Sequence, residues 1–142
     1  MSEATHTPTP MLCTLKLIAS NFDLVGYSDA NWVSTIEDWH SAIVYCVYLG
    51  SNHIAWCSKK QTVVSRSSSE VEYCSLANCV SKLLWIKQLL AEVRVAVHQS
   101  SVIWCENTFT VSMVTNPTHH AKVKYVEIDH HFVCDKVLHS IL

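Results

Sequence analysis

"LVGYSDANW", residues 24–32, carries an apolar run straight into an aspartate, an amide and a tryptophan. The run from Phe22 to Tyr27 has the β-branched and aromatic character of a strand, and Asp29 ends or interrupts it. Downstream, "IVYCVYLG" (43–50) is a second β-rich run that closes on Gly50, and "HIAWCS" (53–58) is a third. Three strands with short connections pair naturally as an antiparallel meander. Residues 59–66, "KKQTVVSR", then form a basic connecting segment.

A long amphipathic helix is expected over 67–93, "SSSEVEYCSLANCVSKLLWIKQLLAEV". With Ser67 as N-cap, Glu70 falls at the third helical position and completes a Ser-x-x-Glu capping box. Glu72 has no such role. At helical spacing it shares a stripe with Leu76, Cys79, Val80 and Leu83, the face that packs on the sheet. A carboxylate there is costly unless something positive satisfies it, so either an ion pair, a partly exposed first turn or a functional role accounts for it.

Next comes a short buried strand, "SVIWC" (101–105), and a short helix over 106–114. Glu106 follows the strand directly, at the carboxyl end where open α/β sheets place ligands; an ordinary first-turn glutamate is the alternative. A last helix is expected within 125–138.

Composition narrows the classes. With 142 residues, 49% apolar and 15% charged, the chain is sized and composed for one folded core. Ten basic and twelve acidic side chains nearly cancel, so net charge argues for no partner. No apolar run reaches membrane-spanning length, and residues 1–10 lack the features of a secretory signal. Residues 1–20 are read as a disordered or unrelated lead-in, and 21–142 as the domain. The seven cysteines show no CxxC spacing and sit mostly in apolar segments, which fits a reducing, intracellular setting, cytoplasmic or nuclear. His119, His120, His130 and His131 invite a zinc reading, but adjacent histidines on a helix diverge by about 100° and no cysteine stands at ligand spacing. A solvated or hydrogen-bonding role is expected for them.

Three carboxylates, Asp29, Glu72 and Glu106, thus stand at the edges of core elements. Carboxylates crowded in one site need raised pKa values or bound cations, and magnesium prefers such oxygen ligands. Acids of this kind facing a phosphodiester make a natural two-metal site.

The motifs "YSDANW", "SKKQTVVSRSSSEVEY", "WCENT" and "NPTHHAKVKYVEIDHHFV" together resemble the ribonuclease H domain of copia-type retrotransposon Pol polyproteins, particularly those of plants. That family reads approximately Tyr/Phe-Ser-Asp-Ala-Asp-Trp, a serine run into Glu-Ala-Glu-Tyr, Cys-Asp-Asn, and Asn-Pro followed by His-Ala and Lys-His-Ile-Glu. The resemblance covers about residues 22–139. It implies an α/β, ribonuclease H-like fold: a mixed sheet with an antiparallel three-strand meander, followed by helix, strand and helix. It also implies Mg²⁺- or Mn²⁺-dependent hydrolysis of the RNA strand of an RNA/DNA hybrid during reverse transcription. Asp29, Glu72 and Glu106 take the positions of the family's first three acids, as catalytic residues and metal ligands. Lys59, Lys60, Arg66, Lys122 and Lys124 become candidates for phosphate contacts, beside their ordinary reading as solvated loop residues. The partners implied are the hybrid and a reverse transcriptase portion that is absent from this sequence.

The departures from the family pattern are specific. Glu106 replaces an aspartate and adds about 1.5 Å of reach, where catalytic groups tolerate roughly 0.5 Å. Asn31 replaces a second aspartate, and Val33, Ser34, Ile43 and Val44 stand in a normally glycine-bearing loop. Only Gly26 and Gly50 are present in the chain, so strain is expected wherever positive φ is needed. The family's last strand and helix, with a fourth acid, have no counterpart before Leu142, and Glu127 and Asp129 are expected not to replace that acid. The domain is therefore read as C-terminally incomplete and partly degenerate. Two functions stay open: a hybrid-cleaving nuclease, and a catalytically dead module that at most binds nucleic acid or protein.

Overall fold

The computed structural model describes residues 22–32, 39–62, 64–65, 67–95, 97, 100–115 and 127–138. The lead-in 1–20, Arg66, His119, His120, Lys122 and Lys124 lie outside them, as do the side chains of Glu127 and His130. Strand β1 (Leu24–Asn31) is followed by β2 (Ala42–Leu49) and β3 (Asn52–Lys60), helix α1 (Ser68–Glu92), strand β4 (Val102–Cys105), and helices α2 (Thr108–Thr115) and α3 (Glu127–Leu138). The sheet order is β3-β2-β1-β4. β1 pairs antiparallel with β2, β2 antiparallel with β3, and β1 parallel with β4. This is the mixed α/β architecture expected, consistent with a ribonuclease H-like fold.

Two boundaries differ from expectation, and the ladder explains both. β1 does not stop at Tyr27: Asp29 and Ala30 pair with Val44 and Ile43, so the acid lies within the strand. β3 runs on through Lys59 and Lys60, which pair with Ile43 and Ala42, instead of leaving them in a connecting loop. Lysine is a poor strand former, but β3 lies at an edge of the described sheet, where exposed lysines are well tolerated and discourage further pairing.

The alternation of β1 decides which face closes. Leu24, Gly26 and Ser28 are buried toward α1, whereas Tyr27 and Asp29 point the other way. Gly26 is where the helix approaches closest: a Cβ there would stand 2.8 Å from Cys79 Sγ and 3.1 Å from Leu83 Cδ1. Around that contact Leu24, Val47, Leu49, Cys79, Leu83 and Ile86 form one apolar cluster. A second, built from Tyr73, Leu76, Ala77, Val80, Met113 and Val133, joins α1 to α2 and α3. The expected stripe of α1 is therefore its buried face, and its start is the expected cap, with Ser67 Oγ accepting from the Glu70 amide at 3.2 Å.

Glycine scarcity has the anticipated consequence. Gly50 takes the β2–β3 turn with φ 58°, but the left-handed conformations at Trp39 (φ 51°) and Arg94 (φ 60°) fall to residues bearing a Cβ, each at a cost of roughly 1–3 kcal/mol. Among the described residues no helix is long and apolar enough to cross a membrane.

Candidate active site

The register of the parallel pair brings two of the three carboxylates together. Ser28 pairs with Cys105 as the last rung between β1 and β4. Asp29 and Glu106 are the next residues on each chain, so they stand side by side where the two strands part, at their carboxyl ends. Both line one pocket of about 370 Å³, with Cys105 beside them and the rings of Tyr27 and Trp104 as walls.

Helix α1 supplies the third. Ser75 is fully buried, and its hydroxyl lies 2.7 Å from the carbonyl oxygen of Asp29 and 2.8 Å from that of Val44, donating to this pair of acceptors. It accepts in turn from Ser28 Oγ at 3.2 Å. Glu72 lies three residues before Ser75, about 4.5 Å along the helix axis. The connection into α1 is tied down as well: Trp32 Nε1 donates to the Ser65 carbonyl at 3.2 Å, and the Gln61 amide donates to the Ser41 carbonyl at 2.7 Å. These bonds fix the first turn of α1 against the end of β1.

The thiol of Cys105 is half-buried beside Asp29 and Glu106. Burial pushes its thiol above the ordinary range, a backbone hydrogen bond at Asn107 opposes this, and the charges of Glu72, Asp29 and Glu106 push it further up. One sulfur thus feels all three carboxylates.

The alternatives for these acids are decided in part. Asn107, not Glu106, caps α2, its side-chain oxygen accepting from the Thr110 amide at 3.2 Å. Glu106 lies before the cap in a bend and is not a first-turn glutamate. Glu72 is half-buried, and no cation among the described residues pairs with it. Asp29 is exposed, with Oδ1 accepting from the Ala30 amide at 2.8 Å. Asp129 is engaged elsewhere: its Oδ2 accepts from Cys74 Sγ at 3.4 Å, on the part of α1 that faces α3.

Among the described residues no three His, Cys, Asp or Glu side chains form a closed cage ready for a metal ion. The three carboxylates fit Mg²⁺ in donor chemistry and share one neighbour, Cys105. Asp29 and Glu106 border an open pocket, and Glu72 is not among the residues that line it.

Sequence reasoning missed Ser75, Cys105 and the aromatic walls. Ser75 carried a signal of the kind that marked Glu72, a polar residue on the sheet-facing stripe. Tyr27 and Trp104 carried none before the register was known.

The fold and pocket define a mixed α/β domain with acids gathered at the carboxyl ends of a parallel strand pair. Over 118 residues, 83% of the chain, the sequence is 41% identical to the retrovirus-related Pol polyprotein from transposon RE2 of Arabidopsis thaliana, and it matches that from transposon RE1 of the same plant at the same identity and coverage. Over 115 residues, 80% of the chain, it is 28% identical to the retrovirus-related Pol polyprotein from transposon TNT 1-94 of Nicotiana tabacum. These homologues are plant-transposon polyproteins, and the chain spans only 8% of the length of each. No protein-family model matches the sequence, and no solved structure does.

Proposed function

We propose that this region of a retrotransposon-derived polyprotein is a ribonuclease H-type domain of the copia class, acting on the RNA strand of an RNA/DNA hybrid. The observation that supports this reading is the placement of Asp29 and Glu106 in one pocket past the last β1–β4 rung, with Glu72 on α1 three residues before Ser75, whose hydroxyl bonds the Asp29 carbonyl. Asp29, Glu72 and Glu106 would hold Mg²⁺ or Mn²⁺, which would supply activation of water and stabilisation of the leaving oxygen. The chain's own contribution is positional. The Ser28–Ser75 hydroxyl pair holds the helix against the strand. Lys59 and Lys60, exposed at the end of β3, offer sequence-independent phosphate contacts.

A second reading, a domain that holds nucleic acid or protein without cleaving it, is favoured by one observation: no closed three-ligand cluster stands among the described residues. The longer Glu106 side chain in place of aspartate accounts for such an imperfect fit. Hybrid cleavage by the parent and by Glu106→Asp, assayed side by side with Mg²⁺, separates the two. A faster variant supports an assembled but misfitted nuclease site. Absence of cleavage in both, with the fold intact by circular dichroism, supports the binding module.

A further inference from the structure

Ser75 has more partners than packing requires. It is fully buried on the face of α1 that carries Leu76, Cys79, Val80 and Leu83, where a hydroxyl is costly unless it is bonded. Its Oγ lies 2.7 Å from the Asp29 carbonyl oxygen and 2.8 Å from that of Val44, and it accepts from Ser28 Oγ at 3.2 Å. Asp29 and Val44 are partners across β1 and β2, so one hydroxyl proton is shared between the two carbonyls of the rung that bears the acid. We infer that Ser75 is a positioning residue for Asp29: its hydroxyl fixes the backbone from the closed face of the sheet, and with it the stance of the carboxylate in the pocket on the other. This rests on the reading of Asp29 as a metal ligand, and it adds to that reading a residue that does not line the pocket.

Apolar burial has no direction, whereas a hydrogen bond fixes both distance and angle. One turn further along α1 the contact with β1 is apolar: Cys79 meets Gly26, where a Cβ would stand 2.8 Å from Sγ. That contact sets how close the helix comes. The bond from Ser75, three residues along the strand at Asp29, sets how far the helix slides and turns. The carboxylate has a local anchor as well, Oδ1 accepting from the Ala30 amide at 2.8 Å. That donor belongs to the next residue of the same strand and moves with the acid, whereas Ser75 ties the strand segment to a different element.

Mn²⁺ binding by the full chain, followed by electron paramagnetic resonance, tests this with Ser75→Ala and Val80→Ala. Val80 is fully buried on the same helix but packs toward α2 and α3, so Val80→Ala lowers stability without touching the Asp29 backbone. Ser75→Ala should weaken Mn²⁺ binding about tenfold, the scale of groups that hold a metal ligand in place. Val80→Ala should leave it within about twofold. In the metal-free chain, hydrogen exchange of the Ala30 amide should quicken more in Ser75→Ala than in Val80→Ala, although Val80→Ala has the lower urea midpoint. Ser28→Ala removes only the donor to Ser75 and should fall between the parent and Ser75→Ala; it carries the test if circular dichroism shows Ser75→Ala unfolded. Equal Mn²⁺ affinity in the parent and Ser75→Ala, equal weakening by Val80→Ala, or exchange no faster in Ser75→Ala overturns the positioning role and leaves Asp29 as a ligand. A folded parent that takes up no Mn²⁺ overturns both.

Discussion

The two faces of the sheet are built from alternate residues of the same strands and do opposite things. Toward α1, Leu24, Gly26 and Ser28 meet Cys79, Leu83 and Ser75 with no room to spare. On the other side, Tyr27 and Asp29 meet solvent and border a pocket. The difference shows that β1 gives one face to the helix and the other to the pocket. Ser75 links the two, because a hydroxyl buried on the closed face bonds the backbone of the acid that points from the open one.

This contrast is broken most severely by damage to the closed face. Leu83→Ala, at a fully buried position, is expected to cost about 3 kcal/mol in urea unfolding. Gly26→Val follows at about 2 kcal/mol, since Cys79 and Leu83 must move to admit the side chain. If either variant unfolds with parental stability, the closed face is looser than described. On the open face, Asp29→Asn should shift stability by no more than about 0.5 kcal/mol. A large loss there would mean that Asp29 is structural.

Alkaline pH sharpens the comparison. Burial pushes the thiol of Cys79 up from 9.0 to about 12, with Cys46 and Cys105 adding to the rise. Burial followed by the Asp129 carboxylate does the same for Cys74, also to about 12. The unfolded chain releases these protons near pH 9 while the folded chain keeps them, so this contribution is full below pH 9 and is lost as pH climbs from 9 toward 12. Urea midpoints at pH 8 and pH 10.5 should show the fall, and Cys79→Ala should make it shallower. An unchanged slope in the variant would show that Cys79 is not among the groups responsible.

How much of this could be read in the sequence follows from the range of the interactions. The capping box of Ser67 and Glu70, the buried stripe of α1 and the turn at Gly50 depend on neighbours within a few residues, and the sequence carried them. The end of β1 and the extension of β3 through Lys60 depend on a partner strand that propensity does not see. The pairing of Tyr27 with Trp104 beside the pocket needs the β1–β4 register, and a slip of one residue would send the rings to the other face. For the site, the identities of Asp29, Glu72 and Glu106 were legible as acids placed where a core element gains nothing from them. That Asp29 and Glu106 share one pocket was not, because it depends on the last rung between β1 and β4.

The most direct test of the shared carboxylate pocket is Mn²⁺ binding, followed by electron paramagnetic resonance, in the parent and in Asp29→Asn, Glu72→Gln and Glu106→Gln. The expected result is binding by the parent and at least a tenfold loss of affinity in each of the three, with the fold retained. Binding that none of the substitutions weakens, or a folded parent that takes up no Mn²⁺, would contradict it.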